Sequence, residues 1–150
     1  SLVDAKKAFD VGAKFLVAPD FNEQIAGFCI DNNLTYFPGA LTPTEIQKAW
    51  ASGATMVKVF PASQMGPSYF KQIKGPFNNI KLMAVGGVNL SNIKNYLSSG
   101  ADAVALGGSI YTLKRMENRL FGEIQSDIED FMFEVKSFYS KIKANNLTNC

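Results

Sequence analysis

Short runs of alternating or continuous apolar residues give way to helical spacing five times along this chain. The runs are Lys14–Val17, Thr35–Phe37, Met56–Phe60, Lys81–Val85 and Ala103–Leu106, and they begin 21, 21, 25 and 22 residues apart. Helical patterns, with apolar residues recurring by threes and fours, fill the gaps. Strands alternating with helices at this period predict parallel strands joined by right-handed crossovers, an α/β architecture. The punctuation repeats too. Gly12-Ala13, Gly53-Ala54 and Gly100-Ala101 each stand just before a strand, where a glycine can close the preceding helix in a left-handed conformation.

Two further segments carry clear local signals. Thr42-Pro43-Thr44-Glu45 reads as a capping box with proline at the first helical position, followed by the amphipathic Ile46, Ala49 and Trp50. That assigns Glu45 a capping role ahead of a catalytic one, since the box explains both its identity and its spacing. After Leu106 the pattern changes to a long helix, with Ile124, Ile128, Phe131, Val135, Phe138 and Ile142 along one face. Core packing accounts for that stripe most simply, and a subunit contact is the alternative.

Composition narrows the class. At 150 residues, with 47% hydrophobic and 19% charged residues, the chain is expected to form one globular domain over 1–150, which excludes a disordered or fibrous protein. A formal charge of +2 with scattered lysines gives no basic stripe, so nucleic acid is not an expected partner and a small molecule is. No apolar stretch is long enough to span a bilayer, and the first residues lack a signal-peptide layout. Cys29 and Cys150 form neither a metal spacing nor a disulfide framework, which fits a reducing, cytoplasmic setting. Histidine does not occur at all. Acid–base chemistry must therefore come from carboxylates, lysine, tyrosine or water.

Against that background Lys58 stands out, because it interrupts the apolar run Met56-Val57-Lys58-Val59-Phe60-Pro61-Ala62. A run this apolar reads as a strand buried on both faces, where an amine loses hydration and its pKa falls toward the neutral, nucleophilic form. Alternation puts Met56, Lys58 and Phe60 on one face and Val57 and Val59 on the other. A lysine with a buried stem and a solvated head is the competing reading.

Glycine pairs follow two neighbouring strands: Gly86-Gly87, and Gly107-Gly108 with Ser109. Bare backbone N–H groups at the C-terminal ends of parallel strands let an anion approach closely. In a (β/α)8 barrel the loops after the last two strands supply such a phosphate site. One pair alone would read as a tight turn; two on consecutive strands favour the anion.

Together these residues resemble a known family. Thr42-Pro43-Thr44-Glu45, Lys58-Val59-Phe60-Pro61-Ala62, Gly75-Pro76-Phe77, Gly86-Gly87-Val88 and Gly107-Gly108-Ser109 occur in the order found in the 2-keto-3-deoxy-6-phosphogluconate / 4-hydroxy-2-oxoglutarate aldolases. The resemblance runs from Ser1 to about Tyr111. It implies a (β/α)8 TIM barrel, of which this chain supplies about the last five β/α units plus a C-terminal helix. It also implies a class I aldolase in which Lys58 forms a Schiff base with pyruvate or a 2-keto-3-deoxy sugar acid, with no metal or cofactor, because the imine is itself the electron sink. Pro38 and Phe60 match positions that line the keto-acid pocket, and Ser1 falls near the position of a small hydroxyl residue by the pyruvate carboxylate. Gly86, Gly87, Gly107, Gly108 and Ser109 match the phosphate-binding turns. A homotrimer in cytoplasmic carbohydrate metabolism of the Entner–Doudoroff type is also implied.

Two departures qualify the expectation. Val85 stands where the family commonly has a threonine, which removes a hydroxyl from the anion site. The family's acid–base glutamate lies on a second strand that residues 1–150 do not contain, so the chain is expected to be the last two thirds of an aldolase subunit and inactive alone. A phosphate-binding barrel of another activity, an isomerase or synthase in which Lys58 only makes an ionic contact, is one alternative. A stable binding or assembly module is the other.

Overall fold

The computed structural model describes residues 1–148, so Cys150 lies outside the described residues. Helices and strands alternate as the pattern predicts. The order is α1 (Leu2–Asp10), β1 (Phe15–Val17), α2 (Glu23–Asp31), β2 (Thr35–Phe37), β3 (Gly39–Ala40), α3 (Pro43–Ala51), β4 (Val57–Val59), α4 (Ala62–Met65), α5 (Pro67–Lys74), β5 (Leu82–Val85), α6 (Ile93–Ser98), β6 (Ala103–Ala105), α7 (Leu113–Glu117) and α8 (Phe121–Thr148). Every strand pair is parallel.

The predicted run Thr35–Phe37 forms β2, and a further two-residue strand, β3, follows it. Pro38 has no N–H to give to a ladder, and it stands between β2, which pairs with β1, and β3, which pairs with β4. Backbone bonds stitch the two sheets together: Thr55 N–H donates to Tyr36 C=O at 3.1 Å and Lys58 N–H to Pro38 C=O at 2.8 Å. The strands thus follow one another as an arc, β1, β2/β3, β4, β5, β6.

The main core lies between this arc and the helices. Val57, Val59, Leu82 and Ala84 point into it and are completely buried, against Ile46, Phe70, Ile93 and Ile124 from the helices. A smaller cluster of Ala5, Ile25, Ala26, Cys29, Leu34 and Tyr36 joins α1 and α2 to the first two strands. Local chemistry fixes the helix ends. Thr42 Oγ1 accepts from Glu45 N–H at 3.3 Å while Glu45 Oε2 accepts from Thr42 N–H at 2.8 Å and Leu41 N–H at 2.9 Å, so Glu45 is the cap that the sequence predicts. Gly12, Gly53 and Gly100 take positive φ after α1, α3 and α6.

Along α8 the predicted stripe is mainly core. Ile124 and Phe131 are buried, and Ile128, Val135 and Phe138 pack against them. Ile142, at 41% exposure, leaves the core. Among the described residues no helix is long and apolar enough to cross a membrane.

Candidate active site

Lys58 lies at the centre of β4 with a fully buried valine on each side. The valines face the helices, and the lysine faces the other way, half-buried. The sequence expectation of a strand buried on both faces is therefore corrected: one face is dry, and the face carrying Lys58 and its register partner Met83 is only partly covered. The physical reason is that the helices' core residues pack against Val57 and Val59, while Lys58 and Met83 alternate to the opposite, half-exposed face.

The Lys58 ammonium sits 4.7 Å from the centre of the Phe60 ring. The two residues share a face because side chains alternate along a strand, and a cation over an aromatic face is held by the ring's quadrupole. Burial lowers the Lys58 pKa from its ordinary 10.5. Desolvation penalises the charged form.

Phe60 forms a wall common to two cavities. The first, of about 470 Å³, is lined by Phe60, Gly86, Gly87, Gly107, Gly108 and Ser109, together with Val85 and Asn89. The structure thus brings both glycine turns and the serine together beside the ring that covers Lys58. The two turns use their glycines differently. Gly86 and Gly87 have φ of +91° and +77°, and a Cβ on Gly87 would lie 2.4 Å from Ser63 Cβ, so backbone conformation and packing already demand them. Gly107 and Gly108 have no positive φ, and a Cβ on either would meet nothing within 4 Å. What glycine adds there is open backbone facing the cavity, which is what an anion requires.

The second cavity, about 340 Å³, lies on the other side of Phe60 and includes Pro19, Asp20, Gly39, Leu41 and Lys48. Sequence reasoning missed Asp20 and Lys48. A Pro-Asp step one residue beyond a parallel strand was the available signal for Asp20. Lys48 pairs with Glu23 at 2.8 Å.

Two predicted site residues lie elsewhere. Pro38 is fully buried and contributes its carbonyl to the Lys58 N–H rather than a ring to a cavity wall. Ser1 caps α1, its Oγ accepting from Asp4 N–H at 3.3 Å, and lines a third cavity with Tyr36, separate from the glycine turns. Among the described residues no group of three or more cysteine or acidic side chains is placed to hold a metal ion.

A family model described as KDPG and KHG aldolase matches residues 2–126. The chain belongs to this aldolase family. The 2-dehydro-3-deoxy-phosphogluconate aldolase of Haemophilus influenzae is 37% identical over 106 residues, 70% of this chain and 50% of that protein. The 2-dehydro-3-deoxy-6-phosphogalactonate aldolase of Escherichia coli is 31% identical over 102 residues, 67% of this chain and 50% of that protein. A solved structure described as native KDPGal superposes with a TM-score of 0.80 at 25% identity, covering 91% of this chain and 66% of that one. The chain spans about half the length of the curated relatives it matches. Its arc of parallel strands with external helices is accordingly part of the (β/α)8 barrel of the aldolase family.

Proposed function

We propose that the protein to which this chain belongs is a class I aldolase that cleaves a 2-keto-3-deoxy sugar acid to pyruvate and an aldehyde, with Lys58 as the Schiff-base lysine. The observation that carries the reading is the half-buried Lys58 amine over the ring of Phe60, the residue that also lines the cavity holding the two glycine turns. The names of the aldolase relatives support the same chemistry and a phosphorylated substrate, 2-keto-3-deoxy-6-phosphogluconate or its galactonate counterpart, or 4-hydroxy-2-oxoglutarate.

The neutral amine attacks the C2 ketone, and loss of water leaves a protonated imine. A base removes the C4 hydroxyl proton, the C3–C4 bond breaks, and its electron pair passes into the imine to give an enamine while the aldehyde departs. Protonation at C3 and hydrolysis release pyruvate and restore the amine. The imine supplies the electron withdrawal, so the scheme uses no cofactor. In the family resemblance the base is a glutamate on a strand without a counterpart in residues 1–150. Gly86, Gly87, Gly107, Gly108 and Ser109 bind the substrate's phosphate, Phe60 lines the keto-acid pocket, and Pro38 fixes the lysine strand. The resemblance would put Ser1 near the substrate carboxylate, whereas here it caps α1 and lines a separate cavity. Residues 1–150 act as the C-terminal two thirds of one barrel domain, in a cytoplasmic homotrimer serving carbohydrate breakdown of the Entner–Doudoroff type.

Borohydride reduction in the presence of pyruvate, followed by peptide mass spectrometry, tests the assignment. A reduced pyruvate adduct on the Lys58 peptide is expected, and Lys58→Arg, which keeps charge but cannot form an imine, should abolish both adduct and cleavage. A missing adduct in the parent, or cleavage surviving in the arginine variant, overturns it. The second outcome would favour an isomerase or synthase that uses only the glycine turns.

A further inference from the structure

The turn that opens backbone to the anion, Gly107 to Ser109, is held from behind by a charged latch. Ile110 and Tyr111 N–H both donate to Gly107 C=O at 2.9 Å, which closes the turn. Ile110 is buried, and its own carbonyl accepts from Arg115 Nη1 at 3.4 Å. The same nitrogen lies 2.5 Å from Asp127 Oδ2, and Arg115 Nε lies 3.5 Å from Glu123 Oε2. One guanidinium thus ties the turn to α8, through a planar fork that a lysine cannot reproduce fully. Asp127 also shares a small cavity with Ser109 and Asn89, directly behind the anion site. It is the first residue beyond the segment that matches the aldolase family.

We propose that Arg115, anchored by Asp127, is a positioning residue for the anion-binding turn and sets the protein's affinity for the phosphate end of its substrate. This inference rests on the reading that Gly107, Gly108 and Ser109 hold that phosphate. Arg115 does not touch the reacting atoms, so its loss acts on the turn and leaves Lys58 alone. A Gly-Gly-Ser turn has little stiffness of its own, because glycine backbone is permissive and the space beside both glycines is open, a Cβ on either meeting nothing within 4 Å. Beyond the two backbone bonds that close it, the turn draws its order from the anchoring of Ile110 C=O by Arg115.

The sign of one variant separates positioning from bare charge. Asp127→Asn removes an anion close to an anion site, so Coulomb attraction alone predicts tighter phosphate binding. The latch predicts weaker binding, because the guanidinium loses its anchor. Titrating inorganic phosphate into the full chain, with the amide NMR shifts of Gly107, Gly108 and Ser109 as the readout, decides between them. The expected result is roughly fivefold weaker binding in Asp127→Asn, the scale of one net hydrogen bond, a larger loss in Arg115→Met, and partial rescue in Arg115→Lys. In the active aldolase the same order should appear in KM for the phosphorylated acid, with kcat and the yield of pyruvate adduct unchanged. Phosphate binding that is unchanged or tighter in Asp127→Asn overturns the latch. If instead the parent forms no pyruvate adduct while phosphate binding follows the expected order, the aldolase reading fails and the latch stands. Glu123→Gln, at the longer contact, provides a milder variant should Asp127→Asn fold poorly, and it too must weaken binding.

Discussion

Lys58 is flanked in β4 by two valines that never see water, yet its own side chain reaches a half-covered face beneath Phe60. The resulting fall in pKa has two measurable effects with a defined sign. Between the lowered folded value and the ordinary 10.5, the unfolded chain binds more protons than the folded one, so stability rises with pH across that window. Below the window the penalty is constant. Lys58→Met removes it, so this variant should be the more stable one at pH 7, with the gap narrowing as pH approaches 10.5. Urea transitions followed by the emission of Trp50, the chain's one tryptophan, which packs on the main core, give the comparison. Nucleophilicity follows the same equilibrium. Pyruvate trapping should accelerate with pH and level off below 10.5, and a plateau reached only at 10.5 or above would mean that the amine is fully solvated. At this scale the sequence showed the lysine and both glycine pairs, because a charge in an apolar run and doubled glycines are local anomalies. It did not show that one face would be open, since alternation says which residues share a face and nothing about what covers it. Arg115 and Asp127, twelve positions apart, form no helical or strand spacing and could not be paired from sequence.

Elements were legible wherever the chain carries its own boundary chemistry. The Thr42 capping box predicted both the start of α3 and the engagement of Glu45, and the glycines before β1, β4 and β6 stand where helices end. Thr42→Ala should cost about 1 kcal/mol of stability, the usual loss for an N-cap oxygen. It should leave pyruvate trapping at Lys58 intact, as read by thermal unfolding and adduct yield on the same sample. A loss of adduct formation without a loss of stability would give this turn a chemical role. The change of pairing partner after β2 was not legible. It depends on which neighbour β2 and β3 each find, and Pro38 signals only that a ladder bond is missing. Close approach was invisible as well: a Cβ on Gly39 would fall 2.0 Å from Pro19 C=O, so this glycine is what lets the loop after β1 pass against β3.

For the whole molecule, the five-run pattern was enough to assign parallel α/β architecture, and the Lys58 and glycine motifs were enough to assign the aldolase family. The uneven quality of the packing is a property of the assembled arc. β1 pairs only with β2 and β6 only with β5 among the described residues, and a parallel edge with unpaired N–H and C=O groups is costly to leave open. Phe15 and Val17, on β1, are 57% and 51% exposed. Meanwhile β4 and β5 bury their helix-facing residues completely in the larger core, whereas α1, β1, α2 and β2 share only the small cluster around Tyr36 and Cys29. Burial of apolar area is the main term stabilising each part, so the first third of the chain should open at lower denaturant than the rest. The isolated 150 residues are therefore expected to lack one cooperative transition. Native-state hydrogen exchange gives the test, because sub-global openings appear as groups of amides with distinct free energies. Amides of Val57–Val59 and Leu82–Val85 should stay protected after those of Phe15–Val17 have exchanged. If all three strands exchange through a single opening of equal free energy, the arc is one cooperative unit and the division into a strong and a weak core is wrong.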